Sequence, residues 1–204
     1  MSTTTYRLNT DVLRQGDIIE KHTKSMEGYT IRAALSGRIV PPFACDFNHD
    51  AIVVCRAGHW YVGDAEPPAA RLRTLEDYGD LMTAGKCWCR VVRPVNTLTY
   101  DGAQAAAWWR DNVLGMPYDV SAFPALMVDA GHWARLLAKA LWGDNWPSSQ
   151  EWAWYCTEGC RDAWRHGAGN DPWQKARPTP YTTQKRARAG AFQVIQDAIV
   201  KKAG

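Results

Sequence analysis

Cys156 stands in the run Trp154-Tyr155-Cys156-Thr157-Glu158-Gly159-Cys160, at the start of a predicted helix. About a hundred residues earlier, a separation normal for catalytic partners, Asn48-His49-Asp50 heads an apolar run. A thiol works as a nucleophile when its pKa falls and an imidazole stands close enough to take its proton. A helix N-terminus supplies the first condition through its unpaired N–H groups and dipole. Cysteine-dependent hydrolysis is therefore the first chemistry these residues point to.

The elements that must position the pair follow from local pattern. Ala51-Ile52-Val53-Val54-Cys55 and His59-Trp60-Tyr61-Val62-Gly63-Asp64 flank Arg56-Ala57-Gly58, which predicts a β-hairpin with His49 at its open end. With a two-residue turn at Ala57-Gly58, residues 56 and 59 pair, so 51 faces 64 and 49 faces 66. Asp64 and Glu66 then share the face of His49. These two and His59 are the candidates for a group that orients the imidazole.

Gln15-Gly16-Asp17-Ile18-Ile19-Glu20 reads as a turn into a short strand, followed by an irregular stretch as far as Pro41-Pro42. Residues 74–78 read as a short capped helix and 87–93 as a strand stopped by Pro94, giving an antiparallel sheet. Asp101 caps a helix from Ala103 to Leu114 that ends at Gly115, and Met116-Pro117-Tyr118-Asp119 is a loop. Residues 125–142 carry apolar side chains at helical spacing, within an insertion at about 120–150 that would wall a cleft. A third helix runs from Cys156 to about His166, then a Pro/Gly-rich segment spans 167–180. The tail from Thr182 to Lys202 is helix, or helix then strand broken at Gly190. The whole of 1–204 reads as one α+β catalytic domain with a basic C-terminal segment from about 167.

Composition narrows the choice. The chain of 204 residues is 46% hydrophobic and 22% charged, so it can bury a full core. It has neither a secretory-type start nor an apolar run able to cross a bilayer, and is expected to be made as a soluble cytoplasmic product. Six cysteines in that setting are expected as reduced thiols. Cys87-Trp88-Cys89 has no second pair at zinc-like spacing, and His49-Asp50 lacks the companion motif of zinc deaminases. No metal or other cofactor is expected. The net charge of +3 is unevenly placed, with nine Lys/Arg against three Asp from Arg161 onward. That patch is a solvated surface or a polyanion-binding face, and does not imply nucleic acid. Eleven Trp residues could be core, a stacking groove or an interface.

Four segments in order, Gly16-Asp17-Ile18-Ile19, Asn48-His49-Asp50-Ala51-Ile52-Val53-Val54, Leu114-Gly115-Met116-Pro117-Tyr118-Asp119 and Tyr155-Cys156-Thr157-Glu158, resemble the signatures of YiiX-like, circularly permuted NlpC-type cysteine hydrolases. The resemblance spans about residues 16 to 166. It implies a permuted papain-like fold with Cys156 as nucleophile, His49 as its base and a third polar group, for which Asp64 matches the family position. It implies that Tyr118 lies beside the nucleophile. The oxyanion would be held by the Cys156 N–H and Tyr118, with Thr157 and Glu158 lining the pocket or capping the helix. Two departures stand out. The unpermuted peptidoglycan endopeptidases carry Asp-Cys-Ser-Gly where this chain has Tyr155-Cys156-Thr157-Glu158, and Gly159-Cys160 replaces the apolar residue usual after the Glu.

Relatives of this kind act on cell-wall peptides, on protein or isopeptide amides, or on acyl lipids. The Trp-rich, basic character favours peptidoglycan, an amphipathic anionic polymer. Without an export signal, such an enzyme would need a delivery route, such as a phage tail, with phage tail proteins as partners, or a lysis system. Two other classes remain open: a structural tail or baseplate subunit that needs no activity, and a cytoplasmic acyl-lipid thioesterase or acyltransferase.

Overall fold

The computed structural model describes residues 5–36, 44–95, 100–118, 156–174 and 178–197. Six strands form one antiparallel sheet: β1 (Ile18–Thr23), β2 (His49–Arg56), β3 (His59–Glu66), β4 (Ala69–Thr74), β5 (Cys87–Pro94) and β6 (Phe192–Asp197). Their spatial order is β4-β3-β2-β1-β5-β6. The helices are α1 (Met26–Ser36), α2 (Leu75–Thr83), α3 (Gly102–Asn112), α4 (Cys156–Asp162) and α5 (Pro180–Arg188). α4 runs on into a π-helical turn, Ala163–Gly167.

Side chains alternate across a strand, so each strand feeds two cores. Ile18, Ile52, Val54, Ala65 and Val92 pack with Trp109 of α3, Cys160 of α4 and Trp164. Ile19, Ala51, Val53, Val62 and Val91 pack on the opposite face with Leu75, Tyr78 and Met82 of α2. β2 is one of the two central strands and is buried over its first six residues, so both of its faces are dry there. Gly63 makes room for α3: a Cβ there would stand 2.8 Å from the Trp109 indole. The Trp164 indole N–H donates to the Gly16 carbonyl at 2.9 Å, tying the end of α4 to the turn before β1.

The hairpin has the pairing read from its sequence. Arg56 pairs with His59 and Ile52 with Gly63, around Ala57 and Gly58 at φ 51° and 78°. Positive φ at both turn positions gives the twist that two-residue hairpins need.

One expectation is corrected, one strand is added and one open choice is resolved. The stretch before Pro41 is not irregular throughout, because β1 extends to Thr23 and α1 follows. Gly28 interrupts the helical pattern of α1, yet it lets the helix sit on Thr23, whose Oγ1 would be 2.4 Å from a Cβ at 28. β4 was hidden behind Pro67-Pro68 and forms by pairing with β3 from Glu66↔Ala69 onward. Of the two options for the tail, the described part is helix α5 and then strand β6, separated at Gly190 with φ +80°. The helix expected over 125–142 lies outside the described residues. No helix among the described residues is long and apolar enough to cross a membrane.

Candidate active site

His49 is the first residue of β2, and its neighbour fixes where that strand begins. The Asn48 side chain accepts from the Thr23 N–H at 2.7 Å and donates to Thr23 Oγ1 at 2.8 Å, while its own N–H donates to the Lys21 carbonyl at 3.1 Å. This staple sets Lys21 opposite His49 and Glu20 opposite Asp50. Successive residues of β2 therefore present an imidazole to one face of the sheet and a carboxylate to the other.

On the first face, His49 Nε2 and Asp64 Oδ1 are 2.5 Å apart, with His49 6% exposed and Asp64 fully buried. The Tyr78 hydroxyl of α2 donates to Asp64 Oδ2 at 2.8 Å. Arg73 Nε lies 3.1 Å and Lys21 Nζ 3.6 Å from the same oxygen. Glu66, next along the face, is held by Lys21 Nζ and by Arg73 Nη2 at 2.7 Å. Burial alone would lower the pKa of His49, but the Asp64 carboxylate outweighs it, and the ring is pushed up to about 10. Burial likewise acts to raise Asp64, yet His49, Lys21 and the Tyr78 hydroxyl hold it well below the usual carboxylate range. Glu66 is lowered in the same way, against burial, by His49 and Lys21. The imidazole thus carries its charge at neutral pH, and because Nε2 is bound to Asp64, Nδ1 is the nitrogen left to exchange a proton.

On the second face, Asp50 Oδ2 accepts from Thr157 Oγ1 at 2.9 Å and from Thr183 Oγ1 at 2.6 Å. Thr157 is the second residue of α4 and Thr183 belongs to α5, so one fully buried carboxylate joins β2 to both helices. Cys156, first residue of α4, is 5% exposed with Sγ 3.8 Å from Thr157 Oγ1. A negative charge on its sulfur would favour the His49 imidazolium. Glu20 faces Asp50 across the strands and takes its own hydrogen bond from Arg90 Nε at 2.7 Å. One oxygen of each carboxylate, Glu20 Oε1 and Asp50 Oδ1, is buried without a hydrogen-bond partner among the described residues. Burial, reinforced by the Asp50 charge, pushes Glu20 up to about 8. Burial pushes Asp50 to about 6, against the two threonine hydroxyls.

A groove of about 630 Å³ opens over the first face, with His49, Glu66, Tyr118 and Cys87 in its wall. Tyr118 is placed by the chain after α3 pairing with β4: Gly115 N–H donates to the Ala70 carbonyl at 2.8 Å and Tyr118 N–H to that of Pro68 at 3.0 Å. Not every sequence candidate gathers here. His59 sits at the far, exposed end of the hairpin, opposite Arg56. Thr157 is fully buried on Asp50 and does not line the groove, because the second residue of α4 points into the sheet rather than along it. Glu158 is half-buried on α4, and neither it nor Cys156 is part of the groove wall. Cys87 and Cys89 lie on one face of β5, and all six cysteines are free thiols.

Sequence reasoning missed Lys21, Tyr78, Arg73 and Asp50. The first three are brought in by strand order and helix packing, which no local signal encodes. Asp50 was visible in Asn48-His49-Asp50, but its role depends on a helix more than a hundred residues away, with Thr157 lying 107 positions later.

No protein-family model matches the chain, and no curated protein matches it. Among solved structures, the crystal structure of the metalloprotein YiiX from Escherichia coli O157:H7 is similar at 17% identity, covering 92% of both chains with a TM-score of 0.50. The fold is YiiX-like. A likeness at that identity speaks for the arrangement of the chain alone. That neighbour is described as a metalloprotein. His49, Asp64 and Glu66 offer ligand atoms within 4.8 Å of one another. However, Lys21 and Arg73 already neutralise both carboxylates of this site. An ion would have to displace a buried ammonium and share the site with a charged imidazole, so the donors as arranged do not fit one.

Proposed function

We propose that this protein is a cysteine hydrolase in which Cys156 is the nucleophile, His49 its base and Asp64 the group that orients the imidazole, on a permuted papain-like arrangement. The observation that carries this reading is the buried His49–Asp64 pair made through Nε2, which leaves Nδ1 for the thiol. A charged imidazole favours a thiolate beside it. In the reaction, the Cys156 thiolate, whose proton is held on His49 Nδ1, attacks the amide carbonyl. The Cys156 N–H and Tyr118 face the developing oxyanion. His49 then returns the proton to the leaving amine, and a water activated by the same nitrogen hydrolyses the thioester and frees Cys156.

The substrate we propose is a peptide of bacterial peptidoglycan, cleaved by the single domain 1–204, with a phage tail or lysis system as its route to the wall. The supporting features are a groove large enough for several residues, abundant tryptophan and a basic last third of the chain. Mass spectrometry of purified peptidoglycan treated with wild type and with Cys156→Ala tests it. New muropeptide ends with the wild type and none with the variant are expected; identical digests from both would end the hydrolase reading.

A further inference from the structure

The groove wall holds two charges that the site itself does not use. Of its ionisable residues, Glu66 is bound by Lys21 and Arg73, His49 by Asp64, and Cys87 lies against Cys89. Lys24 and Lys86 remain. Both are exposed, and neither lies within ion-pair distance of a carboxylate among the described residues.

The strand ends bring these two lysines side by side. Just beyond the Thr23↔Cys87 pair, the Lys24 N–H donates to the Lys86 carbonyl at 3.1 Å. Lys21 is opposite His49, so Lys24, one residue past the end of β1, lies three residues further along the chain, about 10 Å at ~3.3 Å per residue. The flexible lysine stems cover about half of that span. Ile31 and Leu81 add apolar surface to the same wall, against which an extended peptide can lie.

We infer that Lys24 and Lys86 form a carboxylate-recognising subsite that selects peptide substrates bearing a free carboxylate within about three residues of the bond cleaved, given ~3.5 Å per extended residue. This rests on the hydrolase reading for the identity of the reacting bond. The carboxylate can belong to an acidic side chain or to a peptide C-terminus, which the same two ammonium groups would bind alike.

Binding separates this inference from catalysis. Full-length Cys156→Ala would be titrated calorimetrically with peptidoglycan stem peptides in three forms: all carboxylates free, internal carboxylates amidated, and C-terminus amidated. The free form is expected to bind about fivefold tighter than one amidated form, in keeping with two partly exposed charge contacts. The form that loses affinity identifies the source of the carboxylate. Adding Lys24→Ala and Lys86→Ala should make the forms bind alike, and raising salt from about 0.02 to about 0.5 M should shrink the difference in the parent. Equal binding of all forms, binding of none, or a preference that survives loss of both lysines would overturn the subsite. If Cys156→Ala shows the preference but wild type hydrolyses none of the peptides, the hydrolase reading fails while the subsite stands.

Discussion

Positions 49 and 50 are neighbours in one strand, yet they enter opposite electrostatic regimes. The His49 side is richly compensated: two carboxylates, Asp64 and Glu66, meet Lys21, Arg73 and the imidazole, with a tyrosine hydroxyl added. The Asp50 side is poor in positive charge: Glu20 and Asp50 face each other with Arg90 on Glu20, and each carboxylate keeps one buried oxygen without a hydrogen-bond partner among the described residues. The contrast assigns different work to the two faces. Compensation keeps an imidazole charged and pointed; scarcity leaves a carboxylate whose best partners are hydroxyls, and those hydroxyls sit on the helices that flank the sheet.

The comparison breaks most severely at Asp64. Asp64→Asn keeps the shape but removes the charge that raises the His49 pKa, so kcat/KM should fall about 10³-fold, as expected for loss of an orienting carboxylate. Its alkaline limb, near pH 10 in the wild type, should move to lower pH. The same change removes one of the two carboxylates that neutralise buried Lys21 and the acceptor of the Tyr78 hydroxyl, and should cost about 3 kcal/mol in denaturant unfolding. A variant with an unmoved limb would remove Asp64 from the site.

Asp50 comes next. Asp50→Ala leaves Thr157 and Thr183 without their acceptor and lets the start of α4 drift, so kcat should fall about 10- to 100-fold, with KM changing less. Stability should drop by about 2 kcal/mol. Thr157→Ser should keep near-full activity while Thr157→Val does not; equal behaviour of those two would reduce Asp50 to a packing role.

The smallest effect is on pH dependence. The unfolded chain gives up the Glu20 proton near 4.5, while the native protein holds it to about 8. The native state therefore binds more protons across that window, and stability declines as pH climbs through it. The His49 contribution also declines with rising pH, being complete below its ordinary value of 6.5 and lost through about 10. Glu20→Gln should flatten the first decline and leave the second, as read from unfolding free energies between pH 5 and 10. If both slopes persist, Glu20 is ionised in the native state.

The His49–Asp64 half of the site was legible in the sequence because a two-residue turn fixes register, and register decides which side chains share a face. Everything that required knowing which strand lies beside β2 was not legible. Lys21 reaches His49 only because β1 pairs with β2, and Tyr78 reaches Asp64 only because α2 folds back across the sheet. β4 and α1 escaped detection since Pro67-Pro68 and Gly28 are residues that break local patterns, and tertiary contacts override them. Cys156 heads its helix as the pattern predicted, whereas Thr157 was assigned to the pocket because sequence cannot say how far a helix is rotated about its axis.

The Asp50 clamp also dictates an order of assembly. Its two hydroxyl donors arrive 107 and 133 positions downstream, the later one on α5 near the end of the described chain. During synthesis the imidazole, its carboxylate and the lysine beneath them can all be in place while the helix bearing the sulfur is still unanchored. A nascent chain would therefore hold only the β2 half of this arrangement until α5 docks.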